Sequence, residues 1–205
     1  MLDVVWMTTT HHGIPHMRHL LKSNPSIRQW SSNPQYSTDK TLQHQSWRNC
    51  DRAIRTWWQN NRNKTLATNI LFIEYDVLIT APIERYFNIH ATGMVGKEFL
   101  TPQKNPEWVF WREIERLPAY LQPHACGITP LGVLMISRES LDTISDPIYN
   151  SVFEADIFCE LRLATIAAHA GIQVKSNKNL QDVHCVETKY IPNPGIYHSI
   201  KGTIL

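Results

Sequence analysis

Glycine is scarce in this chain, with 8 residues among 205. Neither of the glycine-rich phosphate loops, Gly-x-Gly-x-x-Gly or Gly-x4-Gly-Lys-Ser/Thr, occurs in the sequence. Those loops hold a diphosphate on backbone N–H groups at the start of a helix. Their absence excludes the common dinucleotide-binding and P-loop classes, so a bound diphosphate would need a different partner.

Long apolar runs and an excess of charge are missing too. No stretch reaches about eighteen apolar residues, so we expect no integral membrane segment. The amino terminus lacks the basic region and apolar core of a signal peptide, and we expect a cytoplasmic protein. The formal net charge of only +2 disfavours nucleic-acid binding. The 4 cysteines form no Cys-x-x-Cys pair, which favours reduced, structural thiols.

The chain instead contains short apolar segments that alternate with helical ones. Strands are predicted at Leu2–Met7, 132–137 and 172–174. Helices are predicted at Arg138–Ile144 and at 152–170, where Gly171 ends the second one. This alternation predicts an α/β fold, with a mostly parallel central sheet flanked by helices on both faces.

The most informative segment is the run 69–79, which reads Asn-Ile-Leu-Phe-Ile-Glu-Tyr-Asp-Val-Leu-Ile. It begins as a strand that is apolar on both faces and then presents Glu74 and Asp76. Residues two apart on a strand project from the same side. We therefore expect an acidic pair at the carboxyl end of a buried strand, where open α/β sheets bind ligands. Two such oxygen ligands suit a divalent cation that in turn holds a diphosphate.

A second acidic pair lies in the predicted helix 152–170. Asp156 and Glu160 are four residues apart and therefore share one face of that helix. Apolar side chains surround both of them in the sequence, and an apolar setting raises the pKa of a carboxylate. Either residue is thus a candidate general base.

Four stretches of the sequence carry a resemblance to a known family. They are Trp-Arg-Asn-Cys-Asp at 47–51, Phe-Ile-Glu-Tyr-Asp at 72–76, Gly-Val-Leu-Met-Ile-Ser-Arg-Glu-Ser-Leu at 132–141, and Glu-Leu-Arg-Leu-Ala-Thr at 160–165 followed by Tyr-His-Ser-Ile-Lys at 197–201. In this order and spacing they resemble the glycosyltransferases of the GT-A fold, whose Asp-x-Asp motif is similar to 72–76 with Glu74 in the first place. The resemblance covers most of the chain and implies a GT-A-like, Rossmann-like sheet.

The resemblance also implies a chemistry. It implies a nucleotide-sugar donor, usually a UDP-sugar, whose phosphates are bridged by Mn2+ or Mg2+. By position, Asp76 would be the main metal ligand, Glu74 would touch the metal or the donor ribose, and His198 would be a late metal or phosphate ligand. Glu160 or Asp156 would be the general base. The remaining donor-binding residues would be Thr8, Thr9, Thr10, Asp51 and Lys201, the last of them facing the diphosphate.

We therefore expect one GT-A-like domain over 1–205, with donor binding in about 1–80 and acceptor binding and catalysis in about 81–205. The expected activity is that of an inverting, hexosyltransferase-type enzyme acting on a carbohydrate or another hydroxyl acceptor. Trp108 and Trp111 lie in an irregular aromatic excursion and are candidates to stack on an acceptor sugar. The same excursion permits a homo-oligomer.

Two alternatives stay open at this point. A nucleotidyltransferase would use a similar sheet and metal but attack the α-phosphate of a nucleoside triphosphate. The loop 8–13 has one glycine and no lysine or arginine, which argues against it. The other alternative is a non-catalytic nucleotide-sugar-binding domain of the same fold.

Overall fold

The structure is a computed structural model that describes residues 1–7, 16–32, 48–180 and 194–198. Ten strands lie in this part of the chain: β1 Leu2–Met7, β2 Arg28–Ser32, β3 Asn69–Glu74, β4 Leu78–Ile79, β5 Met94–Gly96, β6 Glu98–Leu100, β7 Gly127–Thr129, β8 Val133–Ser137, β9 Val174–Ser176 and β10 Ile196–Tyr197. The α-helices there are α1 Met17–Ser23, α2 Cys50–Asn61, α3 Arg138–Ile144, α4 Asn150–Glu154 and α5 Cys159–His169. Short 3-10 helices, including Val109–Arg116, join them.

Six strands form the central sheet in the order β2-β1-β3-β8-β5-β9. All of its neighbours pair parallel except those that involve β8, which runs antiparallel to β3 on one side and to β5 on the other. The strands β1 and β8 are buried along their whole length, as expected of a sheet that is covered on both faces. The predicted fold class, a mostly parallel sheet flanked by helices, is confirmed.

Alternate residues of the central strands enter two separate cores. In β3, Ile70 and Phe72 point to the core formed with α2, α3, α4 and α5. Leu71 and Ile73 point to the other core, which contains Leu20 of α1 and apolar residues from the connecting segments. Glu74 has the same parity as Phe72, so its side chain projects toward the face that α2 and α5 cover.

Two parts of the predicted secondary structure were wrong. The helix predicted at 152–170 is divided, because α4 ends at Glu154 and α5 begins only at Cys159. Phe158 is extended, with φ −61° and ψ 131°, so the backbone between the two helices is not helical. The strand predicted at 172–174 begins at Val174 and continues to Ser176.

Two small antiparallel sheets complete the described part of the fold. The strands β6 and β7 pair with each other, and the tail strand β10 pairs with β4 just beyond the acidic segment. No helix in the described ranges is long and apolar enough to cross a membrane.

Candidate metal centre and its surroundings

The acidic pair lies at the carboxyl edge of the parallel strands. Glu74 is the last residue of β3, where Met7 of β1 is its partner in register. The sequence suggested that Asp76 lies on the same strand as Glu74. In the structure Asp76 lies in the turn that follows β3. The N–H of Val77 donates to the carbonyl oxygen of Glu74 at 3.1 Å and closes this turn. The turn, rather than strand alternation, therefore orients Asp76.

His198 reaches the same edge from the far end of the chain. The strand β10 pairs with β4, and Gly195 and Thr80 exchange backbone and side-chain hydrogen bonds beside this pair at 2.9 Å. His198 follows immediately after β10. The pairing of β10 with β4 thus positions the imidazole of His198 beside Glu74 and Asp76, which lie more than a hundred residues earlier in the chain.

The three side chains converge closely enough to share a cation. Nε2 of His198 lies 2.7 Å from Oε2 of Glu74 and 3.8 Å from Oδ1 of Asp76. One potential ligand atom from each residue lies within 4.8 Å of the other two. We call Glu74, Asp76 and His198 the acidic triad. The sequence predicted all three as metal ligands, and the structure brings all three together.

The charge state of His198 depends on its acidic neighbours. Burial by itself lowers the pKa of His198, but the hydrogen bond to Glu74 and the negative charges of Glu74 and Asp76 outweigh it, so the pKa is raised above its ordinary value. A bound cation would replace the proton on this imidazole, because a metal-ligating histidine must be neutral.

Gly132 leaves space for the side chains of the triad, and it was not predicted as a site residue from the sequence. Its carbonyl oxygen accepts a hydrogen bond from the N–H of Glu74 at 3.0 Å. A Cβ placed on Gly132 would lie 2.8 Å from Nε2 of His198 and 3.1 Å from Oε2 of Glu74. Only glycine fits here without moving a ligand. A glycine directly before a buried strand is a signal of close approach that sequence reading could have used.

Glu160 lies beside the triad, near the start of α5. It is 8 % exposed, and its Oε1 accepts a hydrogen bond from the N–H of Leu131 at 3.1 Å. Burial raises the pKa of Glu160 to about 7, against the opposing effect of hydrogen bonds from Thr129 and Leu131. The negative charge of Glu74 raises the pKa further, and His198 lowers it, so Glu160 interacts electrostatically with the triad. A carboxyl group with this pKa can accept and release a proton near neutrality.

Asp156 does not share the setting of Glu160. The shared helical face that the sequence suggested is absent, because Asp156 lies in the break between α4 and α5. Its side chain is 72 % exposed and lies 3.5 Å from both Arg48 and Arg116. Of the two predicted bases, Glu160 is therefore the buried one that borders the triad.

Asp51 is fully buried on α2, away from solvent. Its two carboxylate oxygens accept hydrogen bonds from Nε and Nη2 of Arg162 at 2.7 and 2.5 Å. Arg162 also donates to the carbonyl oxygen of Ala155 at 2.6 Å, so the pair ties α2 to α5 and to the break before it. The donor-binding role that the sequence suggested for Asp51 stays a prediction, and its carboxylate is engaged by Arg162.

The other predicted donor-binding residues, Thr8, Thr9, Thr10 and Lys201, lie outside the described residues. Met7, the last described residue before the first three, is in register with Glu74.

The ligand set fits a divalent metal ion. Two carboxylates and one imidazole offer the oxygen ligands that Mg2+ and Mn2+ favour, together with a nitrogen ligand that transition metals accept. The space at Gly132 that a Cβ would fill keeps the ligand atoms close together. Divalent binding at the triad is therefore chemically consistent.

Comparison with known proteins gives similarity only at the level of three-dimensional structure. No family model matches the chain, and no curated protein matches it. It is similar to the galactosyltransferase LgtC in complex with donor and acceptor sugar analogues, with 8 % identity and a TM-score of 0.46 over 96 % of this chain and 86 % of that one. It is similar to the glycosyltransferase GlyE of Streptococcus pneumoniae TIGR4, with 11 % identity and a TM-score of 0.47 over 97 % of this chain and 54 % of that one.

A third similarity is to mouse xyloside xylosyltransferase 1, with 10 % identity and a TM-score of 0.44 over 96 % of both chains. All three of these proteins are glycosyltransferases. Similarity at these TM-scores and identities assigns no activity to this chain.

Proposed function

We propose that this protein is a glycosyltransferase that moves a sugar from a nucleotide-sugar donor, a UDP-sugar, to an acceptor hydroxyl with the help of Mn2+ or Mg2+. The observation that carries the proposal is the convergence of Glu74, Asp76 and His198 at the carboxyl edge of the sheet. That edge is where open α/β sheets bind their ligands. With no glycine-rich loop in the sequence, a metal ion on this triad provides the means to hold a diphosphate.

The triad would hold the ion through Glu74, Asp76 and His198. When bound, the ion supplies positive charge that stabilises the leaving nucleoside diphosphate. The chain's own part is to fix the ligands. The turn after β3 orients Asp76, the β4–β10 pair positions His198, and Gly132 leaves the space that Glu74 and His198 need.

In the transfer step, the acceptor oxygen forms a bond to the anomeric carbon while the bond from that carbon to the diphosphate oxygen breaks. The electron pair of the broken bond leaves with the diphosphate, and the acceptor proton passes to Glu160. This single displacement inverts the configuration at the anomeric carbon. The burial of Glu160, its position beside the triad and its pKa of about 7 support this role.

The donor site is proposed to include residues that follow β1 in the sequence and one residue that follows β10. Thr8, Thr9 and Thr10 would contact the nucleotide, Lys201 would face the diphosphate, and Asp51 would contribute from α2. We propose a donor part at about 1–80 and an acceptor and catalytic part at about 81–205. Both parts then contribute residues to the triad. Glu74 and Asp76 belong to the first part, and His198 and Glu160 belong to the second.

Thermal unfolding with nucleotide and metal, followed by an assay of UDP release, tests this proposal. UDP with Mn2+, each at about 100 times its Kd, should raise the Tm by about 5–10 °C, and UDP with EDTA should not. UDP-sugars should then release UDP when an acceptor is present. His198→Gln should lose the Mn2+-dependent rise, whereas His90→Gln, which changes an exposed histidine, should keep it.

Each alternative gives a different result. Stabilisation by UDP and Mn2+ without UDP release from any donor would contradict the enzymatic proposal and favour a binding domain. Stabilisation by nucleoside triphosphates alone would favour a nucleotidyltransferase. Equal stabilisation with Mn2+ and with EDTA would contradict the role of the triad.

A further inference from the structure

The 3-10 helix Val109–Arg116 has the usual pattern of burial reversed. Its one buried residue is Glu113, at 3 % exposure. Three large aromatic residues in and just before this helix, Trp108, Phe110 and Trp111, are only partly buried. Aromatic side chains normally supply core area, and charged side chains normally stay at the surface. A clustered exception of this kind indicates a binding surface.

Glu113 accounts for the orientation of this helix. Its carboxylate accepts hydrogen bonds from Nη2 of Arg48 at 2.9 and 3.0 Å and from the N–H of Phe158 at 2.7 Å. The acid therefore anchors the inner face of the helix to the break before α5. With the inner face occupied in this way, the aromatic side chains are held at the rim of the core, where solvent reaches them.

The three aromatic rings form a continuous cluster, which we call the aromatic platform. The ring centroid of Trp108 lies 4.5 Å from that of Trp111 and 5.3 Å from that of Phe110, both in edge-to-face geometry. Phe110 stacks on Phe158 at 3.7 Å, and the indole N–H of Trp111 donates to the carbonyl oxygen of Asn105 at 2.6 Å. These contacts fix the rings before any ligand arrives.

Two sets of contacts connect the platform to Glu160, the candidate base. Phe158, on which Phe110 stacks, is two residues before Glu160. Trp108 lies on the backbone of Gly127, where a Cβ would meet the indole at 2.8 Å. From Gly127 the strand β7 runs to Thr129, about 7 Å farther at the usual strand rise. Thr129 in turn donates a hydrogen bond to Glu160.

We propose that the aromatic platform binds the acceptor and that the acceptor is a sugar, whose apolar C–H face lies on the rings of Trp108 and Trp111. This inference rests on the proposed function, since an acceptor presupposes a transfer. A sugar ring combines an apolar face with a rim of hydroxyls. Exposed polar residues adjoin the platform in the sequence, Glu107 before Trp108 and Arg112 after Trp111, and they suit such a rim.

The size of the platform favours a sugar over a second copy of the chain. Each large aromatic side chain presents roughly 150–250 Å2 in full, so three partly buried rings offer on the order of 300 Å2. A stable protein interface buries about 800 Å2 on each partner. The platform is thus large enough for one or two sugar units and too small for a dimer interface.

Fluorine NMR of protein labelled with 5-fluorotryptophan tests sugar binding without any donor. Single Trp→Phe variants assign the resonances. Methyl β-galactoside, methyl β-glucoside, methyl β-xyloside and lactose serve as probes. The resonances of Trp108 and Trp111 should shift with saturation, and that of the fully buried Trp58 should not. Absence of any shift at Trp108 and Trp111, or equal shifts at all tryptophans, would overturn the proposal.

Steady-state kinetics test the same surface in the full reaction. Trp108→Ala should raise the acceptor KM by about tenfold or more, with the donor KM changed by less than about twofold. Tyr120→Ala removes another exposed aromatic side chain and should leave both values as in the wild type. A larger rise in the donor KM than in the acceptor KM would overturn the assignment.

The two experiments separate failure of this inference from failure of the proposed function. A wild-type protein that transfers no sugar, yet shows saturable shifts at Trp108 and Trp111, keeps the sugar-binding platform and loses the proposed enzyme. A wild-type protein that transfers sugar but shows no shifts loses the platform alone. Self-association that Trp108→Ala abolishes would assign the platform to a dimer and would also overturn the inference.

Discussion

Two groups of acids in this protein differ in the positive charge that lies beside them. Asp51 and Glu113 are each engaged by an arginine, Asp51 by Arg162 and Glu113 by Arg48. Glu74 and Asp76 instead face each other across His198. The first arrangement supplies a full positive charge for each carboxylate. Among the residues that the structure describes, the second sets two carboxylates against the imidazole of His198, which carries at most one charge.

The difference separates structural acids from candidate functional ones. A buried carboxylate with an arginine partner is already compensated, and removing either member leaves an unbalanced charge inside the protein. A group with more negative than positive charge gains from a cation, which is why such groups serve as metal sites. The charge balance around each acid therefore predicts whether its substitution damages stability or ligand binding.

The largest expected effect is on turnover. Glu160→Gln keeps the size and hydrogen-bonding oxygen of the side chain but cannot accept the acceptor proton. We expect kcat to fall by about 100- to 10,000-fold, as measured by UDP release under saturating substrates. Asp156→Asn, at the exposed site, should retain most of the activity. Equal loss in both variants would show that Glu160 is not the base.

The next effect concerns stability. Arg162→Met leaves Asp51 buried and uncompensated, so the free energy of unfolding should fall by about 3–5 kcal/mol in urea titrations. Arg116→Met is the matched control, because Arg116 pairs with Asp156 at the surface, where an ion pair contributes about 0–1 kcal/mol. Similar losses in the two variants would contradict the structural role of the Asp51–Arg162 pair.

A pH dependence should follow from the raised pKa of Glu160. In the metal-free protein, this carboxyl group keeps its proton up to about pH 7, whereas in the unfolded chain it loses the proton near 4.5. Its contribution to the free energy of unfolding should therefore fall as the pH rises from about 4.5 to 7, by up to about 3 kcal/mol, and stay constant above that. In EDTA, Glu160→Gln should gain stability relative to the wild type over this range. Parallel pH curves for the two proteins would contradict the burial of this acid.

A smaller effect should come from the space at Gly132. Gly132→Ala places a methyl group against His198 and Glu74, and we expect the Kd for Mn2+ to rise by about 10- to 100-fold. Gly171→Ala is the control. Gly171 has a φ of +74° but open space around it, so the substitution should lower stability by about 1 kcal/mol and leave the Kd for Mn2+ unchanged. Unchanged Mn2+ binding in Gly132→Ala would show that the triad tolerates the extra methyl group.

The sequence predicted the main elements of the fold well where local patterning determines them. The strand β1 and the helix α3 begin and end at the predicted residues, and in the structure Ser137 caps the helix by accepting a hydrogen bond from the N–H of Ser140. The prediction of one long helix at 152–170 was wrong because tertiary contacts interrupt it. Arg162 binds the carbonyl of Ala155 and Glu113 binds the N–H of Phe158. Neither contact leaves a trace in hydrophobic periodicity.

The candidate site was predicted by residue type and only partly by geometry. The metal-ligand set Glu74, Asp76 and His198 came from an acidic motif and a resemblance, and the three residues do meet. The turn that carries Asp76 was not predicted, because the apolar run predicts one continuous strand. A glycine before a buried strand does signal a close approach at Gly132, but the side chains that it approaches depend on the antiparallel pairing of β8 beside β3. A strand direction of this kind is fixed by long-range packing.

Titration of Mn2+ by electron paramagnetic resonance tests the central claim most directly. The wild type and Glu84→Gln, which changes an exposed acid elsewhere, should each bind one Mn2+ ion with the same Kd. Asp76→Asn should lose this binding, with its free energy of unfolding within about 1 kcal/mol of the wild type. Mn2+ binding by a folded Asp76→Asn with the wild-type Kd would contradict the account.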